Sequence, residues 1–309
     1  MLVSLPLIRR RRLLVGISLL PGLAAHAHAP VRVGSKIDTE GKLLGHIMVL
    51  ALEAHHINTE NKLSLGNTKI VRAALLAGEI DLYPEYTGNA AFMLGADHHK
   101  AWKDARAGYE LAKKLDFEKN KIVWLEPAHA NNTWAIAVRK DLATAHQLNT
   151  MDDLGRYIAK GGAFKLAASA EFMERADALP AFQAAYGFKL RADQALVLAG
   201  GDTATTIKAA AEKTSGVNAA MAYGTDGPLA ALGLVVMEDT KSVQAVYAPA
   251  PLIRESVLKR YPAIATILSP IFKSLDRPTL QMLNARIQLE GQDPRKVASA
   301  YLHSQGFLK

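Results

Sequence analysis

Strand-like apolar runs alternate with amphipathic helices along most of this chain, and the order of that alternation limits its fold more than any other feature. "VRVGSK" (Val31 to Lys36) runs into a loop, and Asp38 or Thr39 then offers a side-chain oxygen to cap a helix. Leu43, Leu44, Ile47, Met48, Ala51 and Leu52 recur at the spacing of one helix face. "NKLSLG" alternates with period two. A second helix turns Ile70, Val71, Ala74 and Leu75 inward and stops at Gly78, and "EIDLY" reads as the next strand. Strands separated by helices need crossover connections, which favour parallel neighbours.

The same order returns downstream. "NTWAIAVRK" (Asn132 to Lys140) is a strand, "TMDDLGRYIA" a capped helix, "FKLAAS" a strand and "LPAFQAAYG" a helix ending at Gly187. An alanine-rich helix follows over Thr203 to Glu212, and "VNAAMAYGTDG" is a strand that empties into a turn. From Val243, "VQAVYAPAPLIR" is expected as a strand, and the remainder is helical. Pro278 and Pro294 sit just inside new helices, where a missing N–H does no harm. Two rounds of alternation in about 280 residues beyond the leader, in a chain half of whose residues are apolar, predict an α/β protein of two lobes. Lobe 1 is expected at residues 28–137 plus 243–309 and lobe 2 at 138–242, joined by strands near 136–140 and 240–245.

The N-terminus has the layout of a cleavable secretory signal over residues 1–27. Arg9 to Arg12 form a basic block, Leu13 to Ala25 an apolar run about half as long as a membrane-spanning helix, and "AHA" (Ala25 to Ala27) offers small residues around a cleavage point. The chain contains no cysteine, which excludes a disulfide framework and a lipid-modified N-terminal cysteine. These features predict a periplasmic protein. Four of its eight net positive charges lie in the leader, and no dense Lys/Arg run follows, so nucleic acid is not expected as a partner.

Motifs for a serine nucleophile elbow, a zinc helix, a redox dithiol, a P-loop or a dinucleotide fold do not occur in the chain. His55-His56 and Asp97-His98-His99 are the histidine clusters outside the leader. Adjacent residues diverge on a helix, so these clusters are expected as solvated ends or loops and not as a metal site. "LAGGDTATT" is expected to be a turn in which Asp202 or Thr203 caps the next helix, not a phosphate cradle. No catalytic residue, metal or cofactor is expected.

Large aromatics, by contrast, gather where strands end. Tyr86 follows "EIDLY", Trp134 lies in "NNTWAI", Tyr223 ends "NAAMAY" and Tyr247 sits in "VQAVYAPAP". Parallel α/β sheets bind ligands beyond the carboxyl ends of their strands. Several aromatic faces arranged as a cage attract a methylated ammonium, at roughly 0.5–2 kcal/mol per ring. Ordinary packing against neighbours is the alternative for each ring taken singly. Tyr83, out of phase with Leu82, belongs to the core or lobe surface.

Six segments then carry a resemblance: "VRVGSKIDTEGKLLGHIM", "ALLAGEIDLYPEYTGN", "ANNTWAIAVRKDL", "KLAASAEFMERADALPAFQAAYGFKL", "VNAAMAYGTDGPLAALGL" and "YAPAPLIRESVLKRYP". From about residue 31 to the end the chain resembles the osmoprotectant-binding proteins of ABC importers, the glycine betaine, carnitine and choline receptors of OpuC and ProX type. The resemblance implies a two-lobed, type II-like periplasmic-binding fold with each lobe a mostly parallel sheet flanked by helices. It also implies a cage from Tyr86, Trp134, Tyr223 and Tyr247, with Lys36 facing the ligand and Asn89 and Asn132 at neighbouring polar positions. Arg175 matches the family's carboxylate clamp, a role suited to its planar fork; the alternative is a surface arginine paired with Glu171 or Glu174. Trp134 stands where many relatives have tyrosine, and Asn89 where they have threonine, which alters the cavity more than the fold. The implied partners are a quaternary ammonium solute and an inner-membrane ABC permease, with the protein a monomer. Another cationic metabolite or amino acid, a sensory receptor of the same fold, and an enzyme using the same cleft are the competing readings.

Overall fold

The computed structural model describes Met1 and residues 29–198 and 203–308. The rest of the expected export signal and the expected capping residue Asp202 lie outside the described residues. Ten strands are described: β1 (Val31–Lys36), β2 (Thr59–Gly66), β3 (Leu82–Tyr86), β4 (Ile122–Trp124), β5 (Trp134–Arg139), β6 (Leu166–Ser169), β7 (Ala195–Leu198), β8 (Ala219–Tyr223), β9 (Leu234–Val236) and β10 (Pro249–Arg254). They form two sheets, ordered β2-β1-β3-β10-β4 and β7-β6-β8-β5-β9.

The two orders are the same topology used twice. In each sheet one strand runs antiparallel between two others: β10 between β3 and β4, and β5 between β8 and β9. The remaining pairs, β1 with β2 and β3, and β6 with β7 and β8, are parallel, as helical crossovers require. Each antiparallel strand is the first that the chain forms after leaving the other lobe. The fold is therefore the expected α/β, two-lobed architecture.

Local sequence explains the elements. Asp38 caps the helix Thr39–Ala54 by accepting from Gly41 N–H at 2.7 Å. Thr150 and Asp153 form a reciprocal capping box ahead of Met151–Ala159. Gly78 ends Thr68–Ala77 with φ of 73°, a left-handed conformation that needs no Cβ penalty to be met. Leu43, Leu44, Ile47, Met48 and Leu52 are fully buried in one core with Leu280, Leu283 and Val297 from the C-terminal helices. Each such side chain contributes about 1.5–3 kcal/mol of burial.

Three expectations are corrected. The strand expected at "EIDLY" is Leu82–Tyr86, because Glu79 and Ile80 donate their N–H groups back to Ala74 C=O at 2.8 and 3.3 Å and cannot join a ladder. The strand expected from Val243 begins only at Pro249, since Val246 N–H goes to Trp102 C=O and Tyr247 N–H to the Asn131 side chain. A boundary after residue 137 would cut β5, which pairs along its length with β8 from Trp134↔Tyr223 to Val138↔Ala219. The crossings are thus irregular segments at 125–133 and 237–248 and not strands. Tyr83 is fully buried in the lobe 1 core, as its phase suggested. Among the described residues no helix is long and apolar enough to cross a membrane.

Candidate functional site

Parallel strands finish at the edge where the antiparallel strand starts, and this places the aromatic residues. Lys36 ends β1, Tyr86 ends β3 and Tyr223 ends β8, while Trp134 opens β5 and Tyr247 lies just before β10, whose Pro249 pairs with Tyr86. The two sheets direct these edges at each other across a cleft of about 670 Å³. All eight residues expected at the site line it: Lys36, Tyr86, Asn89, Asn132, Trp134, Arg175, Tyr223 and Tyr247.

On the lobe 2 wall, the Trp134 and Tyr223 rings stack with centroids 6.4 Å apart, and Phe172 meets Trp134 edge-on at 5.7 Å. The Arg175 guanidinium covers the Trp134 ring at 4.4 Å. It donates to Asp177 through two N–H groups, at 2.9 and 2.6 Å, and to Glu171 at 2.8 Å. The expected alternative partner Glu171 is present, and Asp177 takes the place expected for Glu174. The paired guanidinium nevertheless lines the cleft. Hydrogen bonding to Asp177 raises the Arg175 pKa, and the reciprocal bond lowers that of Asp177. Arg175 also lies 5.9 Å from the ring of the exposed Phe92, on the lobe 1 helix Thr87–Met93.

The lobe 1 wall is built around two buried carboxyls. Glu85 Oε1 accepts from Lys36 Nζ at 2.9 Å, Asn89 Nδ2 at 2.7 Å and Tyr86 N–H at 2.8 Å. The Lys36 ammonium, held there, sits 4.1 Å over the Tyr86 ring. Tyr86 is only 4 % exposed, and its hydroxyl donates to Glu40 Oε1 at 2.8 Å. Asn132 Nδ2 reaches the same oxygen at 3.1 Å. Tyr247 is fixed through its backbone: its N–H donates to Asn131 Oδ1 at 2.8 Å and its C=O accepts from Asn132 N–H at 3.0 Å. Its ring lies flat on Gly88, where a Cβ would come within 2.7 Å of ring carbons.

Acids outnumber bases around the cleft: Asp38, Glu40, Glu171 and Asp226 against Lys36 and Arg175. Burial pushes the Glu40 carboxyl above its ordinary range, opposed by hydrogen bonds from Thr225, Tyr86 and Asn284. Burial likewise raises the phenols of Tyr86 and Tyr223, and that of Tyr247 to about 12. The rings are therefore neutral near pH 7, and the excess of carboxyls favours a cation between them. Among the described residues no group of three His, Asp or Glu side chains could hold a metal ion.

Glu40, Phe92, Thr225 and Asn284 escaped the sequence reading. Glu40 lies in the first turn of Thr39–Ala54, where an acid suits the helix terminus and carries no other local signal. Asn284 meets it across 244 residues of chain, and no local pattern reports such a contact.

Two α/β lobes joined by two crossings, with an aromatic, acid-rimmed cleft between their strand ends, define a two-lobed solute-binding protein. Residues 29–304 match the model of the OpuAC family, the substrate binding domain of ABC-type glycine betaine transport systems, and the chain belongs to that family. It is 61% identical over 287 residues to the glycine betaine-binding protein YehZ of Escherichia coli, covering 93% of this chain and 94% of that one. Identity to the glycine-betaine-binding protein of Pseudomonas aeruginosa is 32%, over 90% of this chain and 88% of that protein. The solved structure of apo YehZ from the same Escherichia coli species superposes with a TM-score of 0.83 at 62% identity, covering 90% of this chain and 99% of that one.

Proposed function

We propose that this protein captures glycine betaine or a related quaternary ammonium osmoprotectant in the periplasm and delivers it to an inner-membrane ABC permease. The observation that carries this reading is the convergence of Tyr86, Trp134, Tyr223 and Tyr247 from both lobes on one cleft whose acids exceed its bases. A quaternary nitrogen has no N–H to donate, so aromatic faces and diffuse negative charge suit it better than hydrogen-bond acceptors. Arg175, already stacked on Trp134, is placed to meet a ligand carboxylate, which must share the guanidinium with Glu171 and Asp177. Asn89 and Asn132 set the polar edge of the pocket.

Binding drives the lobes toward closure because the ligand touches both walls only when they approach. Closure excludes water and strengthens each electrostatic contact in the cleft. The role is capture and release, without a chemical step, by a monomer exported through its N-terminal signal.

Isothermal titration with glycine betaine, choline, carnitine and lysine tests the reading. Heat from methylated ammoniums and none from lysine supports it. Preferential binding of lysine would transfer the site to a cationic amino acid.

A further inference from the structure

Beyond the cage rings themselves, Glu40 draws its partners from separate parts of the chain. It stands in the first turn of Thr39–Ala54, in lobe 1, and is 4 % exposed. Its Oε1 accepts from Tyr86, a cage ring of lobe 1, and from Asn132 in the first crossing; its Oε2 accepts from Asn284 Nδ2 at 2.7 Å. The same Asn284 amide donates to Thr225 C=O at 3.0 Å, in the turn that follows the lobe 2 cage ring Tyr223. Asp226 Oδ2 in that turn accepts from Tyr223 N–H at 2.7 Å. A continuous set of hydrogen bonds thus runs from one wall of the cleft to the other.

The helix Arg277–Gln288 that carries Asn284 is built to bridge. Leu280 and Leu283 are buried in the lobe 1 core. Its polar side meets lobe 2, where Gln281 Nε2 donates to Gly224 C=O at 2.8 Å. Ala285 packs so tightly on Gly227 that a Cβ at that glycine would lie 2.1 Å from the Ala285 nitrogen. The amides of Asn132 and Asn284 turn their NH₂ groups to Glu40, leaving both buried Oδ1 atoms without a partner among the described residues. Both NH₂ groups are thus committed to Glu40, and that of Asn284 to Thr225 C=O as well.

We propose that Glu40 and Asn284 are positioning residues that couple the setting of the Tyr86 ring to the approach of the two lobes. Ligand contact at Tyr86 then biases the lobe 2 turn through the Glu40 carboxyl, which reaches Thr225 both directly and by way of the Asn284 amide. The ligand side of this inference rests on the quaternary ammonium reading above; the interlobe side does not.

The test is a double-mutant cycle of Tyr86→Phe and Asn284→Ala, chosen because the two residues touch Glu40 and not each other. Each variant is titrated with glycine betaine and measured by small-angle X-ray scattering with and without it. Tyr86→Phe keeps the ring face and loses only the Glu40 bond, so a passive cage ring predicts no change. The coupling predicts about a threefold to tenfold loss of affinity for each single variant, the scale of one hydrogen bond, and a double variant no worse than the weaker single. It also predicts a larger radius of gyration for the unliganded variants than for the unliganded wild type. Additive losses, or wild-type affinity and scattering in Tyr86→Phe, overturn the proposal. Should Asn284→Ala fail to fold, Tyr86→Phe alone decides. If the wild type ignores glycine betaine, the functional reading fails while the unliganded scattering still tests the coupling.

Discussion

Trp134 and Tyr223 are direct partners across the antiparallel β5–β8 pair, with ring planes 15° apart and centroids 6.4 Å apart. Since β5 starts where β8 ends, the register itself puts both residues at the cleft. The Tyr223→Ala variant is expected to weaken glycine betaine binding by about 0.5–2 kcal/mol, the worth of one cation–π contact. Tyr223→Phe keeps the face and retains most of the affinity. Titration calorimetry of the two variants checks this; equal, negligible effects would remove Tyr223 from the cage.

Arg175 is shared between the cleft and two acids, and that sharing has a sign. Replacing Arg175 with alanine should reduce glycine betaine affinity by about tenfold or more, on the scale of a charge-assisted hydrogen bond, and affect choline, which has no carboxylate, much less. Removing a competitor through Glu171→Ala should favour glycine betaine relative to choline, because the NH1 donor now spent on Glu171 becomes available. Competitive titration gives the ratio of the two affinities, and a ratio unmoved by both substitutions would take Arg175 out of the clamp role.

Gly88 is the seat of the Tyr247 ring. A Gly88→Ala methyl would enter the space of that ring, so the ring must swing away from the pocket. The expectation is a clear loss of ligand affinity with a smaller loss of thermal stability, since the ring is half-buried and its backbone anchors to Asn131 and Asn132 persist. Wild-type affinity in a folded Gly88→Ala protein would show that the Tyr247 ring does not contribute.

Burial raises the Glu40 pKa above its ordinary value of 4.5. Folding therefore favours its protonated form, and the stability linked to this group is complete below its unfolded value and lost as pH rises through its folded value. Glu40→Gln cannot titrate. Urea unfolding across that range should show the wild type losing stability relative to Glu40→Gln as pH increases; parallel curves would mean that Glu40 is not perturbed.

Much of this architecture was legible in the order of apolar periods, because helices placed between strands leave few ways to connect them. Strand ends and family segments mark the eight candidate residues, and the fold brings all eight to one cleft. The nature of the two crossings was hidden for a physical reason. The strand at Trp134 and the loop at Tyr247 look alike as apolar, aromatic runs, and only their hydrogen-bond partners, Tyr223 across the ladder and Asn131 beside the crossing, separate them. Glu40 and Asn284 were invisible for the opposite reason, since each is an ordinary polar helix residue until the fold brings them to 2.7 Å. Composition likewise showed neither that Lys36 is held by Glu85 nor that Arg175 is held by Asp177 and Glu171.

A crystal structure of the protein bound to glycine betaine tests the central claim most directly. The account predicts the quaternary nitrogen within about 6 Å of the ring centroids of Tyr86, Trp134, Tyr223 and Tyr247, with the carboxylate turned to Arg175. A ligand seated elsewhere, or a nitrogen ringed by carboxylates with those four aromatics standing apart, would contradict it.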